Sequence, residues 1–131
     1  MTILNADSWL YSKLTGDATL KTYIDSRVYV DIAPAKTTYP FIVITPVSLI
    51  SVTEMSVERV MDNELWQVSI FTDKPSYSTL GTIADQVRSV LHKSTGTNII
   101  GCAFESARRM SYVEEGRVYK QIILEFRLFT K

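Results

Sequence analysis

Few residues in this chain have the type and spacing for chemistry. His92 is the single histidine and Cys102 the single cysteine. A nucleophile needs a base within hydrogen-bond reach, and His92 is expected as a solvated residue in the last turn of a helix. Cys102 alternates with Ile100 and Phe104 on an expected strand face, where a free cysteine behaves as a small hydrophobe. One histidine and one cysteine do not make a zinc site within one chain. Glu114 and Glu115 fall at an expected hairpin tip with no second acid opposite them, and Asp73, Glu54 and Glu58 stand singly. The five glycines are scattered, Gly81 inside a helix, so no loop cradles a phosphate. Arg108 and Arg109 are the only adjacent basic pair. On a strand they point to opposite faces. With Tyr112, Arg117, Tyr119 and Lys120 nearby they form a small patch, but a nucleic-acid site wants a basic stripe and a solvated sheet face explains the patch better. The residues therefore offer no active site, and no metal or cofactor is expected.

The chain that must position these residues has 131 of them, 46% apolar and 21% charged, which is the balance of a globular domain rather than a disordered one. At this length roughly two-thirds of the unfolded surface can be buried without disulfide or metal. Lys plus Arg equal Asp plus Glu at 14 each, so no global field steers nucleic acid, and low net charge tolerates self-association. A lone cysteine fits a reducing compartment. "MTILNADSWLYSKL" lacks the pattern of a signal peptide, and no apolar run approaches the ~20 residues that span a bilayer. The chain is expected to be made in a cytoplasm.

Hydrophobic periods predict the elements. Asn5 or Asp7 caps a first helix carrying Ala6, Trp9, Leu10 and Leu14 on one stripe, and Gly16 ends it in a left-handed position. Asp17 caps a second turn with Leu20 and Ile24. Arg27–Val30 is a short strand, and Pro34 and Pro40 bracket a loop. Phe41–Val47 is apolar on both faces, as an inner strand is, and Pro46 marks an edge or a bulge. Glu64–Thr72 puts Trp66, Val68 and Ile70 on one face. Leu80, Ile83, Ala84, Val87, Val90 and Leu91 recur at i, i+3, i+4, i+7, i+10 and i+11 after Pro75 and Ser76, the clearest helix. Strands over Ile99–Val113 and Val118–Phe129 are joined by a tight turn at Glu115-Gly116. The order α-α-β-β-β-α-β-β predicts an α+β fold: a mainly antiparallel sheet with a long amphipathic helix and the N-terminal helices packed on one face. Ser51–Asn63 has no clean period. It is expected as a long hairpin loop, although a ribbon of two extended strands is nearly as good a reading.

"LYSKLTGDATLKTYIDSRVYVDIAPAKTTYPFIVI" resembles the start of the tail-completion or tail-terminator family of long-tailed bacteriophages: a helix, a Leu-x-Gly-Asp-x-x-Leu step at Leu14–Leu20, an Arg-hydrophobic-Tyr strand at Arg27–Tyr29, the Ala33-Pro34 loop and the apolar strand led by Tyr39-Pro40. "ELWQVSIFTDKPSYSTLGTIADQVRSVL" and "GRVYKQIILEFRLF" resemble the family's later strand, helix and closing strand. The resemblance implies one domain over residues 1–131 and a non-enzymatic virion protein. It implies a homo-oligomeric ring, usually a hexamer, that caps the tail tube, ends its polymerisation and joins the head-side connector, with phage DNA passing through the lumen. The partners implied are other copies, the tail tube protein and the head-completion connector protein, with no membrane and no sequence-specific DNA binding. Candidate interface residues are Pro34, Pro40, Met55, Val57, Arg59, Met61, Arg108 and Arg109. The alternatives are a head-completion (neck) protein, a small nucleic-acid-binding α+β module using Arg108, Arg109, Arg117 and Lys120, and, third, an enzyme.

Overall fold

The apolar stripes of the sequence become two layers in the computed structural model, which describes residues 6–53, 59–74 and 76–131. Helices α1 (Asp7–Thr15) and α2 (Ala18–Ile24) lead into β1 (Val28–Val30), β2 (Phe41–Thr53) and β3 (Arg59–Thr72). Helix α3 (Ser78–Leu91) follows, then β4 (Ile99–Glu114) and β5 (Arg117–Thr130). The five strands lie in the order β1-β2-β3-β5-β4, antiparallel throughout except for the parallel pair β1–β2. The described residues thus form an α+β fold of three helices and one sheet.

Register builds the core. Ile42 lies opposite Ile70 and Ile44 opposite Val68. Ile70, Val68, Trp66 and Glu64 in turn lie opposite Ile122, Leu124, Phe126 and Leu128. Cross-strand partners share a face, so the even-numbered residues of β3 and β5, with Ile42 and Ile44 of β2, form one continuous surface. The helices cover it with Leu10, Leu14, Leu20, Ile24, Leu80, Ile83, Val87 and Leu91, all buried. Helix α3 is amphipathic as expected, but at 14 residues it is of ordinary length; it starts at Ser78, and Pro75 lies outside the described residues.

The capping at the N-terminal end departs from expectation in two places. Ala6 occupies the N-cap of α1 without a side-chain bond, and Gly16 has φ −81°, a right-handed value. Gly16 serves closeness instead: a Cβ there would lie 2.8 Å from the Ser12 carbonyl oxygen. Asp17 caps α2 as predicted, its Oδ2 accepting from the Leu20 N–H at 2.9 Å.

The expected loop at 51–63 is mostly ladder. Ser51 pairs with Asp62, Val52 with Met61 and Thr53 with Arg59, which leaves residues 54–58, outside the described residues, as the connection. Each added antiparallel pair satisfies backbone groups that a loop would leave to water. β5 ends opposite Asp62, at Thr130, so beyond that point the ribbon is two-stranded. At the other end of the sheet β3 stops pairing at Thr72–Lys120, while β4 and β5 continue through Tyr112–Tyr119, Val113–Val118 and Glu114–Arg117. Two hairpin arms therefore project from opposite ends of the sheet. The β4–β5 turn forms where expected, with φ 52° at Glu115 and 77° at Gly116, the paired positive values of a type I′ hairpin.

Bulges set which residues of β4 face the core. A register shift between Ile99 and Gly101 leaves Ile99 buried and Ile100 47% exposed, so Ile99, not Ile100, joins Cys102 inside. One extra residue on one strand reverses the alternation beyond it. A shift between Pro46 and Ser48 likewise places a bulge at Val47, directly after the proline of β2, where a missing N–H interrupts the ladder at least cost.

Candidate interaction surfaces

The outer strand β4 has a free edge, and an unpaired edge invites another chain unless it is covered. Part of it is covered from within. The Lys93 N–H donates to the Cys102 carbonyl at 2.7 Å. The Phe104 N–H donates to His92 Nδ1 at 3.0 Å, and the Tyr77 hydroxyl donates to the Met110 carbonyl at 3.1 Å. His92, exposed at the end of α3 as expected, is thus both its C-cap and an acceptor for the edge. Cys102 is buried as expected, and desolvation pushes its thiol up to about 12, which removes the thiolate that nucleophilic chemistry or metal binding needs. Among the described residues no cluster of three or more His, Cys, Asp or Glu is placed to hold a metal ion.

Arg108 and Arg109 point to opposite faces. Arg108 approaches Glu125 at 4.0 Å on the open face. Arg109 lies on the helix side with its guanidinium 4.4 Å from the Tyr77 ring centre, and Lys120 lies at 4.4 Å from the same ring. Arg88 covers Phe104 in the same way at 4.4 Å. Between α3 and the base of the β4–β5 arm runs a groove of about 240 Å³. Gly81, Ala84, Ala107 and Leu124 line it together with Asp85, Arg88 and Arg109.

The sheet face away from the helices carries a string of aromatic rings. Phe41 and Phe71 stack at 5.0 Å, Tyr29 meets Phe41 edge-on at 6.1 Å, and Tyr39 lies between Phe41 and Tyr119 at 5.1 and 5.7 Å. Tyr112 stacks on Tyr119 at 5.3 Å. Burial, and then the Tyr112 and Tyr119 phenols with the Asp73 and Glu114 carboxylates, hold the Tyr39 phenol above its ordinary value. The proline-bracketed loop is tied down beside this string. Arg27 Nε donates to the Pro40 carbonyl at 3.0 Å, and the Tyr29 and Thr37 hydroxyls bond at 2.7 Å. Pro34 is exposed and Pro40 half-buried.

The expected interface residues therefore divide between places. Pro40, through its neighbour Tyr39, sits at the β4–β5 end of the sheet. Arg108 and Arg109 lie at the base of that arm. Met61 is half-buried in the opposite ribbon, where Arg59 closes the ladder against Thr53. Met55 and Val57 lie outside the described residues. Sequence reading missed Glu64. It is fully buried in phase with Trp66, accepting from the Trp66 indole N–H and the Thr130 hydroxyl, each at 2.9 Å. Its even position beside Trp66, Val68 and Ile70 was the signal.

The family model described as "Tail completion protein gp17" matches residues 9–131. Among curated proteins none matches the chain. A solved structure titled "Virion of native gene transfer agent (GTA) particle" contains a similar chain, with a TM-score of 0.74 at 20% identity, covering 92% of this chain and 90% of that one. That identity supports a shared fold.

Proposed function

This chain belongs to the tail completion protein family, and from that premise we propose that it forms a homo-oligomeric ring, a hexamer, that caps the phage tail tube. The family match across residues 9–131 is the observation that carries this reading, and it makes the chain a structural protein of tail or virion assembly. In the proposed mechanism the ring occupies the growing end of the tube, ends its polymerisation and offers its other side to the head-completion connector. Phage DNA crosses the lumen without sequence-specific contacts, and no reaction is catalysed.

The geometry suits this role. Arms at opposite ends of one sheet allow one end of the subunit to meet the tube while the other serves the ring or the connector. The β2–β3 ribbon, with Arg59, Met61 and the connection carrying Met55 and Val57, is the proposed contact to the tube. Pro34 and Pro40 hold the entry to β2 in few conformations, which lowers the entropy lost when that surface docks. Among the described residues no helix is long and apolar enough to cross a membrane.

The test is deletion of the gene from the particle that encodes it, followed by addition of the purified chain. The expected result without the chain is tubes of irregular length unattached to heads, with joined particles on adding it back. Tails of uniform length joined to heads in its absence overturn the proposal. Tubes of correct length that fail only at joining favour the neck protein instead.

A further inference from the structure

Gly81 sits inside α3, where glycine is less favourable than alanine. Nothing within the subunit explains it. Its φ is not positive, and a Cβ built there meets no atom within 4 Å. The missing side chain instead leaves room in the groove between α3 and the base of the β4–β5 arm. With Ala84 and Ala107 it gives the groove a floor of small side chains, and of the charged side chains on the helix side of its lining two are cations, Arg88 and Arg109, against Asp85; Arg108 turns to the open face and Glu125.

The tip of the same arm has the opposite character. Val113 is 70% and Val118 38% exposed, and they are cross-strand partners forming one apolar pair. Glu114 and Glu115 follow them at the turn, both exposed and, among the described residues, in no ion pair; Arg117 lies opposite Glu114 in the ladder, so the tip carries one net negative charge. Glu115 also occupies a left-handed position, φ 52°, that asparagine or glycine fills at lower cost.

The tip cannot reach the groove of its own subunit. Ala107 and Glu114 lie on one continuous strand, which at ~3.3 Å per residue separates them by roughly 23 Å. We propose that the acidic, valine-bearing tip of the β4–β5 hairpin docks in the α3–β4 groove of a second copy of this chain, with Glu114 and Glu115 against Arg88 and Arg109. Tip and groove are different patches of one surface, so the contact is heterologous and propagates head to tail. That it closes into a ring rests on the reading above.

Gly81→Leu fills the groove at a helical position with open space. Its melting temperature is expected to equal or exceed that of the natural chain, while self-association, followed by analytical ultracentrifugation across concentration, weakens at least about tenfold. Glu114→Lys with Glu115→Lys is expected to weaken it similarly, and adding Arg88→Glu and Arg109→Glu to that variant to restore it. A natural chain that stays monomeric at the highest concentration overturns the docking, as does Gly81→Leu associating like the natural chain. If Gly81→Leu associates normally and also completes tails, the docking fails and the tail role stands. If the natural chain associates as expected yet never completes tails, the tail role fails and the docking stands.

Discussion

Glu64 shows how one residue carries consequences that its type does not announce. A carboxylate with no exposure is tolerable only when both oxygens are bonded, and here the Trp66 indole and the Thr130 hydroxyl supply those bonds. Glu64→Ala strands both donors and opens a void, at about 1–3 kcal/mol per unpaired group. Glu64→Gln keeps one acceptor and turns an N–H₂ toward a donor, so it costs less. Urea midpoints of the two variants check the order, and equal midpoints contradict the bonding. Cys102 makes a second prediction. Its folded value of about 12 stands above the ordinary 9.0, so the folded chain holds the proton more tightly than the unfolded one. The contribution is complete below about pH 9 and is lost as pH rises from there through about 12, with a slope of up to about 1.4 kcal/mol per pH unit. Cys102→Ala lacks that part of the alkaline fall. At pH 8 the folded thiol is expected to resist a thiol reagent that labels it readily in denaturant.

Elements decide where surfaces appear. The β4–β5 arm depends on a two-residue turn with positive φ at both positions, which glycine supplies freely at Gly116 and glutamate supplies at some cost at Glu115. Gly116→Ala is expected to destabilise the arm by about 1 kcal/mol, read as faster amide exchange in Tyr112–Tyr119. Glu115→Asn should slow that exchange, because asparagine suits the first turn position. If the docking proposed above holds, the same variant weakens self-association while strengthening the arm. Helix α3 couples to β4 through its C-cap, where His92 accepts from Phe104. The loop that follows packs closely on α1, since a Cβ on Gly96 would lie 2.4 Å from the Trp9 indole nitrogen.

At the scale of the whole molecule, one shared core holds both layers. Leu124 is 3% exposed on the inner strand β5, facing the helices between Val68 and Ala107. Leu124→Ala is expected to cost about 2–5 kcal/mol, measured as a lower denaturation midpoint with an unchanged m-value. A small shift there would place β5 outside the core. The arms contribute little to that core, the β4 residues from Glu105 onward being exposed, so Leu124→Ala tests the fold while the arm variants test assembly. Separating the two matters for a chain whose proposed work lies entirely in contacts with other copies and other virion proteins.

Element order, the core stripes and the hairpin turn at Glu115-Gly116 were legible in the sequence, because each is set by a local period or a local backbone preference. Trp66, Val68 and Ile70 alternate whether or not their partners are known, and Leu80, Ile83, Val87 and Leu91 mark a helix on their own. The resemblance of the Leu14–Ile44 stretch to tail-completion proteins was legible for the same reason, being a spacing of apolar residues and turns. Only the tertiary structure decided that Ile99 rather than Ile100 is inside, since a bulge shows only in the register with β5. Residues 51–53 and 59–63 proved to be ladder because their pairing lies across the hairpin, not along the chain. The groove at Gly81, the bonds of Glu64 and the aromatic string from Tyr29 to Tyr112 join residues far apart in sequence. No local period encodes such meetings; the order and register of the strands create them.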